Sequence, residues 1–422
     1  MLQVAIERLH KLFPNACLEV LTNSADNLAR FCPAAIPLDN VGRKLWLANG
    51  VLLGKVSHIT PRWFEELLVW LKKTVRSRCP KLFRAMLIWR LKYVCRSADA
   101  DSVKAFTEAL WGADLLLISG AGGFYDGCQA WNLDMLDLLE AAVQRSMPVV
   151  MLGQGFGPVS DPIVLAQAAK VLPRLNFITL RGNRGGHALL RSLRVAESKI
   201  QTTGDEAIEL AYESRSKERG SALGINLRFG GSASTDNDDV ESIRPVLHEF
   251  ARRHNVPLIG LPIAMHALSR DDLTIGQLLA GFDGQSDGGS TLDSPLKVIR
   301  QAALCRVVVT GAYHAAVFAL AQGIPVVGLA KSAYFANKFL GLEDEFGEGC
   351  QTILLNEPGL PGRLDRAIEQ AWQNADRLRA PLQAAALRQI ELSQQSYEGL
   401  KDLAGYSKAN LLVTRIPEKL PT

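Results

Sequence analysis

Apolar and polar positions alternate along this chain in a way that predicts many short buried strands separated by amphipathic helices. From residue 103 the apolar runs at 114–119, 148–152, 177–180 and near Ile200 read as strands, and the helical periodicity at 103–111, 131–145, 161–171 and 184–193 predicts helices between them. Strands that are apolar throughout and alternate with helices are typical of a parallel sheet covered on both faces.

The same rhythm resumes after a polar break at 213–220. Strands are predicted at 222–227, 256–261, 306–310 and 325–329, and helices at 241–253, 295–303 and 314–322. The pattern predicts an α/β protein of two Rossmann-like domains with parallel sheets and a cleft between them. We place the domains at 1–212 and 221–362, followed by a helical segment, 363–422, that packs across both.

Composition adds limits to this picture. The 422 residues are 48% apolar and 21% charged with a formal net charge of +4, and the seven cysteines form no CxxC pair. These values predict a globular protein without a disulfide framework, a metal site or a nucleic-acid partner. The N-terminal residues do not read as a signal peptide, so we expect a cytoplasmic protein.

The segment 62–97 differs from the rest of the chain. It is rich in aromatic residues, and between Lys72 and Arg96 it holds nine basic residues and no acid. We expect one or two helices interrupted near Pro80. Two interpretations remain open. The segment is either a solvated helical face with its tryptophans in the core, or a peripheral contact with the inner face of an anionic membrane or with a lipid diphosphate.

Candidate binding residues follow the predicted strands, where ligands bind in open parallel sheets. Gly122 and Gly123 lie in a strand-to-helix turn that could hold an anion or form only a tight turn. Gln154 precedes Gly155 and could donate to a hydroxylated ligand or hold its own loop. His266 follows another predicted strand and could line the same cleft.

Charged residues at the strand ends suggest chemistry on an anion. Arg181 and Arg228 each follow a strand directly. A guanidinium there could bind a carboxylate or phosphate of a ligand, or it could form an ion pair within the protein. Asp205 is expected to cap the helix after it. His314 follows a glycine turn at the start of a helix, where imidazole can exchange protons near neutral pH.

An ordered set of motifs resembles the polysaccharide pyruvyl transferase family over about residues 1–345. The motifs are DLLLISGAGG (114–123), PVVMLGQGFGP (148–158), FITLRGNRG (177–185), TTGDEAIEL (202–210), ALGINLR (222–228), GLPIAMH (260–266), VVVTGAYHAAVFALAQGIPVVGL (307–329) and NKF (337–339). The resemblance implies a glycosyltransferase-B-like architecture. It also implies a transferase that moves the pyruvyl group of phosphoenolpyruvate onto two hydroxyls of a sugar or lipid-linked glycan, with no cofactor.

Carried onto this chain, the resemblance makes His314 the catalytic acid and base. The residues implied to bind the donor are Arg181, Arg228, Gly311, Tyr313 and Lys338. Those implied to face the acceptor are Gly122, Gly123, Gln154, Gly155 and His266.

The chain departs from the family pattern in two places. Ala312-Tyr313-His314 stands where the family usually has Arg-Leu-His, and the strand that precedes the family's first helix has no counterpart before Leu2. Two other functions therefore stay open: a glycosyltransferase of the same fold that uses a nucleotide sugar, and an inactive relative that binds glycan.

Overall fold

A computed structural model describes residues 1–47, 62–120, 122–229, 233–266, 269–282, 288–404 and 410–415. Its strands, in chain order, are β1 (Cys17–Thr22), β2 (Ile36–Asp39), β3 (Leu115–Ser119), β4 (Val149–Gln154), β5 (Phe177–Leu180), β6 (Ile200–Thr202), β7 (Ala222–Asn226), β8 (Leu258–Gly260), β9 (Met265–His266), β10 (Ser269–Arg270), β11 (Cys305–Thr310), β12 (Val326–Ala330), β13 (Cys350–Leu354) and β14 (Asn410–Arg415).

The α-helices alternate with these strands. In chain order they are α1 (Leu2–Leu12), α2 (Ala25–Phe31), α3 (Asn40–Leu47), α4 (Arg62–Arg78), α5 (Pro80–Trp89), α6 (Ala100–Gly112), α7 (Gln129–Val143), α8 (Pro162–Val171), α9 (Gly186–Ser192), α10 (Ala207–Glu213), α11 (Asn237–His254), α12 (Asp271–Leu279), α13 (Pro295–Ala302), α14 (Tyr313–Ala321), α15 (Ala333–Phe346), α16 (Leu360–Glu398) and α17 (Leu400–Ala404). The predicted break near Pro80 is confirmed, because α4 ends at Arg78 and α5 begins at Pro80.

The chain divides by its internal contacts into two compact units. The first unit comprises Met1–Thr179, Leu189–Gln201 and Ser396–Thr422, and the second comprises Leu180–Ala188 and Thr202–Gln395. These limits differ from the domains placed at 1–212 and 221–362, since the second unit also takes in residues 202–220 and most of α16. The prediction rested on a polar break, which marks a surface segment and not a change of packing partner.

The first unit is built on a seven-stranded sheet with the order β2-β1-β14-β3-β4-β5-β6. The pairs that join β2, β1, β14, β3 and β4 are parallel. Strands β3 and β4 are buried along their whole length. Helix α1 packs Ile6 and Leu9 into the core over one face of this sheet, as its apolar spacing predicts.

The C-terminal segment corrects one of the sequence predictions. Residues 363–422 were expected to be helical, yet Asn410–Arg415 form β14. This strand lies between β1 and β3, with Leu18 beside Leu411 and Leu117 beside Val413. Among the described residues no strand precedes α1, and β14 occupies the centre of the sheet.

The second unit is built on a five-stranded parallel sheet with the order β13-β12-β11-β7-β8. In chain order this is the doubly wound arrangement 2-1-3-4-5. The chain reverses its direction of travel across the sheet between β7 and β11. The fold class and the parallel sheets thus confirm the sequence prediction. In doubly wound sheets ligands bind at the point of reversal, which here lies at the carboxyl ends of β7 and β11.

Helix length limits how the chain can meet a lipid bilayer. Within the described ranges, no helix is both long enough and apolar enough to cross a membrane.

Candidate active site

The turn between β11 and α14 positions His314 in the second unit. The Thr310 hydroxyl oxygen accepts a hydrogen bond from the Ala312 N–H at 2.9 Å, and the Gly311 N–H donates to the Asn226 carbonyl at 2.9 Å. A Cβ on Gly311 would lie 3.0 Å from the backbone nitrogen of Arg228, so a side chain at position 311 would crowd the backbone that follows β7. His314 is thus the second residue of α14 and follows a fixed turn at the point of chain reversal, where the helix N-terminus contributes positive potential.

Asp205 lies beside His314 in the same unit. Its Oδ2 is 3.7 Å from His314 Nε2 and accepts a hydrogen bond from Arg181 Nη1 at 3.4 Å. Its Oδ1 accepts from the Ala207 N–H at 2.9 Å, a turn contact just before α10, whose N-cap residue is Glu206 and not Asp205 as predicted. The carboxylate is completely buried, whereas the His314 side chain is 11% exposed. A carboxylate this close can fix the orientation of the imidazole ring.

Two cations flank the ring of Tyr313. The Arg181 guanidinium carbon is 4.3 Å from the ring centroid, and Lys338 Nζ is 5.7 Å from it. Lys338 Nζ also lies 4.0 Å from the Tyr334 ring centroid. Aromatic faces attract cations in this geometry, so both positive groups are held next to His314.

Glu345 on α15 is a buried acid in this cluster that the sequence analysis missed. Both of its carboxyl oxygens are buried and have no hydrogen-bond partner among the described residues. A Cβ on Gly182 would lie 3.2 Å from Glu345 Oε1. Burial, then the nearby Asp205 carboxylate, raises the pKa of Glu345 well above 4.5, although Arg181 acts in the opposite direction. The group therefore tends to hold a proton.

Ionisation of Glu345 should make the free energy of unfolding depend on pH. Between its ordinary pKa and the raised one, the folded chain binds more protons here than the unfolded chain, so stability falls as pH rises through that window. We expect Glu345→Gln to reduce this fall, because the amide cannot ionise. Urea denaturation at pH 5 and pH 8 measures it, with the exposed Glu348→Gln as control. An unchanged pH dependence in the Glu345→Gln variant would show that the carboxyl is already ionised when folded.

The remaining candidates in the second unit stand apart from this cluster or lie outside the described side chains. Arg228 is half-buried, and its guanidinium makes no ion pair or hydrogen bond with described residues; its carbonyl accepts a hydrogen bond from the Thr235 hydroxyl. The backbone of His266 lies in β9, but its side chain is outside the described part of the structure. Their proposed binding roles stay predictions.

The acceptor-side candidates other than His266 lie in the first unit, at the carboxyl ends of β3 and β4. The Gln154 amide nitrogen donates to the carbonyls of Ile118 at 3.1 Å and Leu152 at 2.8 Å, so it holds its own strands together. Its Oε1 is buried and has no partner in the described ranges. The turn residues Gly122 and Gly123 are buried, and Gly155 is partly buried. A ligand hydroxyl could donate to Gln154, which reverses the donor role predicted for that side chain.

The cluster around His314 can act on an anion. It combines an acid–base imidazole, a buried carboxylate and two cations within one unit, which suits proton transfer to a negatively charged substrate. Among the residues described, no group of three histidine, cysteine, aspartate or glutamate side chains is placed to hold a metal ion. The chemistry available from these residues is therefore acid–base and electrostatic.

Comparison with known proteins identifies a family by sequence. Residues 1–332 match the model of the polysaccharide pyruvyl transferases. A search of curated proteins finds no match.

Two solved structures resemble the chain over most of its length. The glycotransferase of kitacinnamycin is 11% identical, with a TM-score of 0.51 over 95% of this chain and 94% of that one. A UDP-forming α,α-trehalose-phosphate synthase from Burkholderia vietnamiensis is 12% identical, with a TM-score of 0.50 over 92% of this chain and 99% of that one. At such low identity the likeness shows the fold, which is glycosyltransferase-B-like.

Proposed function

Because the chain belongs to the polysaccharide pyruvyl transferase family, we propose that it transfers the pyruvyl group of phosphoenolpyruvate to a sugar of a polysaccharide or its precursor. In this reaction C2 of the donor forms bonds to two sugar hydroxyl oxygens, and its bond to the phosphate oxygen breaks. One hydroxyl proton ends on C3, which becomes a methyl group, and the other ends on the released phosphate. The product is a ketal.

The observation that carries the proposal is the position of His314 beside the buried Asp205 carboxylate and next to Tyr313, whose ring lies close to two cations. The donor bears a carboxylate and a phosphate, which the positive groups of Arg181 and Lys338 can attract. Protonated His314 can give its proton to C3 and then accept one from an attacking hydroxyl. Asp205 stabilises the imidazolium at 3.7 Å and acts as a positioning residue.

Lys338 offers a cation where the family motif differs. Ala312 stands in place of the usual arginine. Lys338 brings its ammonium close to three aromatic rings, those of Tyr313, Tyr334 and Phe335. Because it lies beside the residue that precedes His314, we assign Lys338 to the donor phosphate or carboxylate.

Loss of this cation should weaken donor binding. We expect Lys338→Met to raise the KM for phosphoenolpyruvate about tenfold, because the variant loses one charged contact with the donor. Lys338→Arg should recover most of the loss. Initial rates at varied donor concentration measure it, and Lys297→Met, on the exposed surface of α13, is the control. An unchanged KM in Lys338→Met would remove this residue from the donor site.

The reaction itself is tested by phosphate release from phosphoenolpyruvate in the presence of sugar-nucleotide and lipid-linked acceptors, with the ketal identified by mass spectrometry. Acceptor-dependent release with ketal formation supports the proposal. A parallel assay supplies nucleotide sugars and follows nucleotide release. Release of nucleotide with glycoside formation, and none of phosphate, would assign the chain to glycosyl transfer. Inactivity in both assays, with glycan binding retained, would assign it to the inactive relatives.

A further inference from the structure

The helices α4 and α5 expose a surface that their packing does not account for. Along α5 and the π-helical turn after it (Arg90–Val94), Leu82, Met86, Trp89 and Tyr93 are exposed at spacings of a helical stripe. Further exposed apolar side chains of the same helical pair are Leu67, Trp70 and Leu71 on α4 and Val94 at the end of the π-helical turn. We call these eight residues the α4–α5 surface. Single exposed apolar residues are common, but so many together mark a contact site.

The opposite side of α5 is anchored in the first unit. Phe83, Leu87 and Leu91 are buried, and the Phe83 ring lies 5.0 Å from the Trp46 ring in an edge-to-face contact. Phe83 thus lies in the core, whereas Trp70 and Trp89, which the solvated-face interpretation placed there, are exposed. The exposed stripe belongs to a helix whose other face is fixed, and no described residue covers the stripe. The side chains of Trp63 and Phe64 are outside the described part.

The charge at this surface is positive. Of the nine basic residues between Lys72 and Arg96, Lys72 and Arg76 are buried. Burial, with repulsion from Arg76, lowers the pKa of Lys72 to about 8. Some of the others pair with acids outside the segment, as Lys92 does with Asp101 at 3.6 Å. Three exposed cations make no ion pair with described residues: Arg78, Lys81 and Arg96.

We propose that the α4–α5 surface lies on an anionic lipid bilayer. Tryptophan and tyrosine prefer the interface between headgroups and hydrocarbon, and leucine, methionine and valine can enter the acyl region beneath them. Unpaired lysine and arginine at the edge attract anionic headgroups. A nucleic acid would use cations with stacking rings and leave the aliphatic residues in water. Because no described helix can cross a membrane, the contact is peripheral. The inference does not depend on the reaction proposed above.

Flotation of the full chain with vesicles tests the surface. The vesicles are phosphatidylcholine alone, or phosphatidylcholine with about a third phosphatidylglycerol. We expect binding to the anionic vesicles that weakens with salt, because screening reduces the attraction of the headgroups. The triple variant Leu82→Ser, Trp89→Ser, Tyr93→Ser should bind at least about tenfold more weakly, since it loses three apolar side chains from the interface. Lys81→Glu with Arg96→Glu should lose the preference for anionic lipid.

Matched variants separate this contact from loss of folding and from association. Ile163→Ser changes an equally exposed residue (62%) on α8 and should leave vesicle binding unchanged. Circular dichroism of each variant should match that of the unsubstituted chain. The proposal fails if the unsubstituted chain does not float with anionic vesicles, if the triple variant floats equally well, or if the triple variant instead abolishes a dimer seen by light scattering without lipid.

Discussion

Replacement of His314 by alanine should lower the rate of acceptor-dependent phosphate release by about a thousandfold, within the range usual for loss of a general acid and base. The physical reason is that His314 is partly exposed and lies beside the buried Asp205 carboxylate, which is 3.7 Å from Nε2. The loss should fall mainly on kcat, because the arginine and lysine that attract the donor remain in place.

The assay follows phosphate release at saturating phosphoenolpyruvate, with denaturant unfolding of each variant to show that the fold is kept. His10→Ala, at the exposed end of α1, is the matched control and should retain full activity. Asp205→Asn should retain more activity than His314→Ala, since the imidazole stays in place and loses only the neighbouring carboxylate. Equal rates for the unsubstituted chain and His314→Ala would exclude this histidine from the chemistry.

Replacement of Arg181 by methionine should destabilise the second unit by about 3–5 kcal/mol, which is the usual cost of breaking a buried ion pair from one side. The side chains of Arg181 and Asp205 are 4% and 0% exposed, so the remaining carboxylate would be buried without its cation. Urea denaturation measures the loss. Arg191→Met is the control: it removes an exposed pair with Glu197, and exposed pairs contribute less than about 1 kcal/mol.

A double variant distinguishes this ion pair from simple packing. If the uncompensated carboxylate causes the loss, then Arg181→Met with Asp205→Asn should be more stable than Arg181→Met alone. If the two substitutions are additive, the stability comes instead from the contact of Arg181 with the Tyr313 ring at 4.3 Å.

Local patterns were enough to predict where His314 lies. The buried strand before it, the glycine at 311 and the apolar helix after it each have a clear signal in the sequence, and the structure places these elements where they were expected. The prediction needed only short-range information, since the carboxyl end of a parallel strand is where ligands bind.

Contacts between distant residues could not be predicted in the same way. The pairing of Arg181 with Asp205 joins residues 24 positions apart. Glu345 follows two other acids, Glu343 and Asp344, in a helix, and such a run is typical of a solvated face; its burial depends on packing that no local pattern reports. The short apolar run of β14 follows a long helix and could equally have been its continuation.

The central position of β14 has a consequence for the order in which the chain can fold. All of the second unit precedes residues 410–415 in the sequence, so its sheet can close while the first sheet still lacks its middle strand. Until that strand emerges from the ribosome, β1 and β3 each present an unpaired edge. The pairing of Cys17 with Asn410 then closes a loop of nearly the whole chain. Exposed edges of this kind invite pairing with other chains. The first unit is thus begun early in synthesis and completed last, and its open edges are the part of the nascent protein that most needs protection by chaperones.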